Sequence, residues 1–236
     1  DANSCVVDLD GVTNTAITQP AALSATNVVT NVDCNGASTG AIDLTVSGGV
    51  APYTYAWTGP NSFTAATADI SGIEAGSYSV VVTDNNLCVL PTVTVSVSEP
   101  AALSASISAQ TNNTCFGGTT GTATVSATGG TGTINYSWDT TPAQTAATAT
   151  GLAQGTYTVT LTDANGCQET ATATITEPTQ ITATVTTTNI SCNGLTDGTI
   201  TVTSAAGGTA PYQYTIDGGT TWSSTASFSA LGAATY

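Results

Sequence analysis

The chain has 236 residues, 15 of them acidic, and no lysine, arginine or histidine, for a net charge of −15. Only 6% of residues are charged, against about a quarter in an ordinary soluble domain. With no cation to hold phosphate, this composition argues against nucleic acid and anionic lipid headgroups as partners. It also removes side-chain salt bridges, so folding must rest on apolar burial, backbone ladders and covalent links.

Disorder is the first alternative for so polar a chain. It is not expected here, because 40% of residues are hydrophobic and the strand formers Val, Ile, Thr and Tyr abound. No run approaches the roughly 18 apolar residues of a membrane helix, so no membrane insertion is expected of this segment.

In chain order, "AIDLTVSGG" alternates, with Ile42, Leu44 and Val46 on one face. "YTYAW" places Tyr53, Tyr55 and Trp57 on one face. "SYSVVVTD" does so with Tyr78, Val80 and Val82, and "PTVTVSV" with Val93, Val95 and Val97. Period-two alternation over four to eight residues predicts strands with one buried face. Gly48-Gly49 and Ala51-Pro52 punctuate the first two, and Asn85-Asn86 predicts a hairpin turn around 83–87.

These elements recur. Glu99-Pro100 and Glu177-Pro178 lie 78 residues apart, with Gln19-Pro20 80 residues before the first. Gly48-Gly49, Gly129-Gly130 and Gly207-Gly208 keep nearly the same period, as do "TDNNLC" at 83–88 and "TDANGC" at 162–167. A period near 80 exceeds a solenoid unit and suits a small domain with its own core. The expected fold is all-β: tandem Ig-like antiparallel β-sandwiches arranged as beads on a string. The expected segments are 1–20 (the end of one repeat), 21–100, 101–178, and 179–236 (the first part of another). Trp57 and Trp138, with Tyr55, Tyr78, Tyr136 and Tyr157, are the expected core aromatics. In the third repeat Ile216 replaces the tryptophan and Trp222 follows six residues on, so a different packing is expected there.

Two of the six cysteines recur in each full repeat. Without histidine or a C-x-x-C pair a zinc site has no support, and disulfides in an oxidising compartment are expected. One connectivity ties each repeat: Cys34–Cys88 and Cys115–Cys167, with Cys5 and Cys192 bonded outside the chain. This is the favoured one, since closing a loop of that length contributes on the order of 4 kcal/mol. The other joins Cys5–Cys34, Cys88–Cys115 and Cys167–Cys192.

No catalytic constellation is evident. Serine and threonine lack a basic partner, the carboxylates fall at turns, and no cofactor is expected. Calcium is the most serious metal hypothesis, at Asp8 and Asp10 of "DLDG", or at Asp84 and Asp163 beside the hairpin turns. The alternative for the last two is an Asx turn, in which the carboxylate caps its own backbone. Asn112, Asn135 and Asn189 head N-linked sequons.

The pattern carried by Cys34-Asn35-Gly36, Gly48-Gly49, Pro52-Tyr53-Thr54-Tyr55-Ala56-Trp57, Gly76-Ser77-Tyr78, Thr83-Asp84 and Cys88 resembles the SprB-type repeat of Bacteroidetes surface proteins. Repeat two carries it with Cys115-Phe116-Gly117, Tyr136-Ser137-Trp138 and Gly155-Thr156-Tyr157, but has Gly132-Thr133-Ile134 in place of "APY". The resemblance implies very large extracellular adhesins exported by type IX secretion, some serving gliding motility. Thr140 in Asp139-Thr140-Thr141 resembles the O-glycosylation acceptor of that phylum.

The expected function is therefore a non-catalytic stalk of a surface adhesin. A self-assembling extracellular filament and a carbohydrate-binding module are the alternatives. The expected partners are neighbouring repeats of the same chain, copies of itself in a filament, or an unspecified polysaccharide, host or substratum ligand.

Overall fold

The computed structural model describes residues 18–236. Within them the chain is built of β-strands, with one short 3-10 turn at Pro60–Ser62. It divides into two compact units, with the boundary between Ala101 and Ala102; the second unit holds repeats two and three.

Repeat one contains β1 (Ser24–Thr30), β2 (Gly40–Ser47), β3 (Thr54–Thr58), β4 (Thr64–Ala65), β5 (Ile70–Ile73), β6 (Gly76–Thr83) and β7 (Val93–Val97). They form two antiparallel sheets, ordered β1-β2-β5 and β4-β3-β6-β7. The alternation read in the sequence sets which face is buried. Ile42 and Leu44 of β2, Tyr78, Val80 and Val82 of β6, and Val95 and Val97 of β7 meet between the sheets. Burying each such side chain contributes about 1.5–3 kcal/mol. Trp57 is 1% exposed, and its indole N–H donates to the Thr67 carbonyl at 3.0 Å. Phe63 packs edge-on against Tyr78, ring centroids 5.4 Å apart.

Repeat two repeats the plan with β8 (Ser104–Thr111), β9 (Gly121–Thr128), β10 (Asn135–Trp138), β11 (Thr148–Leu152), β12 (Gly155–Thr162) and β13 (Gln168–Ile175). Its sheets are β11-β9-β8 and β10-β12-β13. Trp138 is again 1% exposed and donates to the Ala146 carbonyl at 3.0 Å. The core of repeat two is a separate cluster around Val125, Trp138, Leu152, Val159, Leu161 and Ile175.

The third repeat shows one sheet, β14 (Thr182–Thr188), β15 (Gly198–Ala206) and β16 (Ser227–Leu231). Ile200 and Val202 stand where Ile42 and Leu44 stand in repeat one. Here they line an open groove of about 690 Å³ with Ile181, Val185, Trp222 and Phe228. Trp222 is 60% exposed, its N–H held by the Gly219 carbonyl at 3.1 Å.

With no cations available, hydroxyls take over the cross-strand polar pairing. Ser24 meets Ser47 at 2.8 Å, Thr111 meets Thr122 at 2.8 Å, and Thr188 meets Thr199 at 2.6 Å. Such pairs add a few tenths to about 1 kcal/mol each on a solvated face.

Candidate functional site: the two ends of each repeat

Recurring polar chemistry collects at the ends of the sandwich. β1 carries the chain away from a leading end, where the Gly49 N–H donates to the Ala21 carbonyl at 2.8 Å. It delivers the chain to a trailing end, where the Val32 N–H meets the Ser98 carbonyl at 2.9 Å.

At the leading end, Asp84 is buried, as is Asp163 in repeat two. One Asp84 carboxylate oxygen accepts the N–H groups of Asn86 at 2.9 Å and Cys88 at 2.8 Å. The other accepts the Val50 N–H at 2.9 Å, tying the hairpin turn to the Gly48-Gly49 corner. Asp163 does the same with Asn165, Cys167 and Thr131 at 2.9, 2.9 and 2.8 Å. This geometry is an Asx turn extended by a clamp to a second loop. Leu87 takes the left-handed conformation (φ 64°) at the place that Gly166 fills in repeat two (φ 85°).

The donors set the acidity. The Cys88 N–H, with those of Val50 and Asn86, holds the Asp84 carboxyl below its ordinary value against the effect of burial. Burial pushes Asp163 upward, but the N–H groups of Thr131, Cys167, Asn165 and Gly166 outweigh it, and its carboxyl is also lowered. Lowered folded-state values stabilise the fold above the unfolded value, about 3.9, and that contribution is lost as pH falls through the folded value. Urea midpoints for repeat one are therefore expected to hold steady from neutral pH to about pH 5 and fall below about pH 4. In Asp84→Asn that acid loss shrinks. Comparing the two proteins cancels the common gain from neutralising the other carboxylates; parallel acid profiles would refute the clamp's charge role.

At the trailing end, Glu99 accepts the Gly36 N–H at 2.6 Å, and Asn35 donates to the Pro100 carbonyl at 3.1 Å. Glu177 accepts the Gly117 N–H at 2.8 Å. The Glu-Pro motif thus clasps the C-x-G loop of its own repeat, a role that its use as punctuation did not disclose. Three tyrosines also recur, Tyr78, Tyr157 and Tyr236, each donating its hydroxyl to the carbonyl four residues back, at 3.0, 3.2 and 3.2 Å.

The remaining sequence candidates fall as follows. Cys5, Asp8 and Asp10 lie outside the described residues. Tyr55, Tyr136 and Tyr157 are half-buried at the margins of the two cores. The Thr140 hydroxyl donates to the Pro142 carbonyl at 2.8 Å and accepts the Gln144 N–H at 3.1 Å, capping a turn. Asn112 accepts the Thr176 N–H at 3.0 Å. Among the described residues no group of three or more acidic, cysteine or histidine side chains is placed to hold a metal ion.

The cysteines require a correction. Cys88, Cys115 and Cys192 are free and exposed. Cys34 and Cys167 are disulfide-bonded. The favoured pairs Cys34–Cys88 and Cys115–Cys167 are therefore not formed, nor are Cys88–Cys115 and Cys167–Cys192. The physical reason for the first two is strand direction. Cys34 follows β1 at the trailing end, whereas Cys88 sits on the clamped turn at the leading end. The seven residues of β1 separate those ends by roughly 20 Å, and a disulfide tolerates a Cα separation of about 7 Å at most.

Paired antiparallel sheets around a buried tryptophan, repeated along the chain, define a tandem Ig-like β-sandwich protein. The SprB repeat family model matches the chain at three places, residues 26–62, 107–142 and 184–221. Repeats of this family belong to cell-surface proteins and, like this fold, are typically non-catalytic. Among solved structures, the three N-terminal domains of the bacteriophage RB49 outer capsid protein Hoc are 16% identical, covering 79% of this chain and 69% of that one, TM-score 0.41. The titin I-band fragment I67–I69 is 11% identical, with 84% and 78% covered and TM-score 0.38. A Dscam structure is 17% identical, with 67% and 46% covered and TM-score 0.30. No curated protein matches the chain. No helix among the described residues is long and apolar enough to cross a membrane.

Proposed function

We propose that these repeats form the load-bearing shaft of a secreted, surface-attached adhesin, supplying length and mechanical strength rather than recognition. The observation that carries this reading is the placement of each repeat's chain ends. The chain enters repeat one at the leading end and leaves it beyond β7 at the trailing end. Tension between those points slides β1 along β2, where seven residue pairs from Ser24↔Ser47 to Thr30↔Ala41 are loaded together. A ladder loaded in shear resists through all its bonds at once, whereas one peeled from its end yields bond by bond. The Glu99 clasp and the Val32–Ser98 hydrogen bond close the trailing end around the same strand.

Export by type IX secretion and a part in gliding belong to this proposal as properties of the kind of protein that carries the repeat. Burial of Trp57 and Trp138 leaves neither indole as a platform for a sugar ring.

The test is single-molecule extension of the chain. Each full repeat should rupture in one step and release roughly 250 Å of contour, the length of about 80 extended residues less the folded span. Smooth extension without discrete ruptures would remove the load-bearing role.

A further inference from the structure

Tyr78, near the start of β6, and Tyr157, near the start of β12, hold equivalent places, yet only the first is covered. Phe63 packs edge-on against Tyr78, and a Cβ on Gly59 would stand 2.5 Å from the same ring, so the segment 59–63 lies against it. Asn61 donates to the Glu74 carboxylate at 2.9 Å and ties that segment down. The Tyr78 ring is 2% exposed. The cleft beside it, bordered by Pro60, Asn61, Phe63 and Gly72, holds about 180 Å³.

Repeat two lacks that cover. From the tryptophan to the carbonyl that accepts its N–H is ten positions in repeat one, Trp57 to Thr67, and eight in repeat two, Trp138 to Ala146. Ala153 stands in place of Glu74 as the acceptor of the tyrosine hydroxyl. Gln144 lines the cleft in place of Phe63, and both ends of its amide turn to the Thr150 backbone at 2.9 Å. Tyr157 is half-buried rather than enclosed, and the cleft beside it widens to about 530 Å³, bordered by Asp139, Thr141, Pro142 and Gly151. One Asp139 oxygen accepts the Thr158 N–H at 2.9 Å; the other has no partner among the described residues.

We propose that this cleft of repeat two binds a neutral sugar ring, packed on Tyr157 and hydrogen-bonded through its hydroxyls to Asp139 and Thr141. An aromatic ring attracts the positively polarised C–H groups of a pyranose. A concave site with a few convergent polar groups is the usual setting for a small ligand. The free Asp139 oxygen accepts a hydroxyl in a charge-assisted bond, and the exposed Thr141 hydroxyl can donate or accept. Charge then selects among sugars. The chain has no cation and a net charge of −15, so uronic acids and sulfated sugars are repelled. A guanidinium is the other ligand that suits a ring beside a carboxylate. With one Asp139 oxygen committed to Thr158, however, the cleft offers it no bidentate pair. The site belongs to repeat two and is an addition to the shaft role; repeat one, its tyrosine covered, is a control within the same chain.

The experiment is a titration of the isotopically labelled full chain, followed by its amide chemical shifts, with maltotriose, cellotriose, mannotriose and N,N′-diacetylchitobiose as probes. At least one probe is expected to move the amides of 139–144, 150–153 and Tyr157 saturably. The dissociation constant should be on the order of 1–10 mM, the range that one ring in an open site attains. The amides of 59–63 and Tyr78 should stay in place. Gln144→Phe, which restores the aromatic cover of repeat one, should weaken the binding at least about tenfold while the Trp138 and Val159 signals keep their positions. Asp139→Ala is the second variant, at the rim, and should weaken it about fivefold. No shift from any probe at about 20 mM, equal shifts around Tyr78, binding that survives both substitutions, or stronger binding of trigalacturonate or of Nα-acetylarginine amide would each overturn the proposal. Force spectroscopy reads the shaft role separately, so either can fail without the other.

Discussion

Trp57→Ala is expected to destabilise repeat one by about 3–5 kcal/mol and to leave the unfolding transition of repeat two where it stands. The indole is almost wholly enclosed, in a cluster shared with Ile42, Tyr78, Val80 and Val82. Its removal leaves a cavity between two sheets whose hydrogen-bond ladders keep them from closing over it. The Thr67 carbonyl, which accepts the indole N–H at 3.0 Å, loses that partner as well, a further cost of about 1 kcal/mol. A domain of about 80 residues has a total stability of roughly 4–12 kcal/mol. The substitution therefore removes a large share of it, and repeat one melts early or not cooperatively. Repeat two has its own core around Trp138, so calorimetry should resolve one shifted and one unshifted transition. Two transitions falling together would show that the repeats do not hold independent cores.

The same independence explains which parts of the fold the sequence disclosed. β2, β3, β6 and β7 were legible because each sets alternating large apolar residues against the opposite sheet. β1 and β5 were not. β1 reads Ser-Ala-Thr-Asn-Val-Val-Thr, with no residue fully buried, and β5 is Ile70-Ser-Gly-Ile73, too short for a period to show. Their identity as strands comes from pairing with β2, which is a tertiary fact.

The ends of the repeat were legible only as motifs. Thr-Asp before the turn and Glu-Pro at the close could be seen to recur, yet neither shows its partner. Gly36 lies 63 residues before Glu99, and no local pattern connects them. The disulfide expectation went astray for a related reason. Spacing shows that two cysteines share a repeat but not that β1 carries them to opposite ends, and strand direction decides which pairs are within reach.

Gly48→Ala is expected to cost repeat one about 3 kcal/mol or more, whereas Gly36→Ala, at nearly the same backbone conformation, costs about 1 kcal/mol. The two glycines have φ of 76° and 73°, so the left-handed penalty for an L-residue is shared. What differs is the space. A Cβ on Gly36 meets nothing within 4 Å, while one on Gly48 falls 2.0 Å from the Ala22 carbonyl oxygen and 2.7 Å from its carbon. Those are backbone atoms just before β1, and they cannot swing away as a side chain would. The corner has to move, which breaks the 2.8 Å hydrogen bond from the Gly49 N–H to the Ala21 carbonyl. It also draws Gly49 and Val50 off Asp84, whose carboxylate oxygen lies 2.8 Å from where a Cβ on Gly49 would stand. Each lost hydrogen bond adds about 1 kcal/mol to the conformational penalty. The third repeat keeps the geometry: a Cβ on Gly207 falls 2.0 Å from the Gln180 carbonyl oxygen. Gly-Gly is therefore retained there because two chain segments cross too closely for any side chain. Urea unfolding of the two variants should give midpoints well separated, Gly48→Ala the lower; equal midpoints would mean that backbone conformation alone, and not the crossing, sets the requirement.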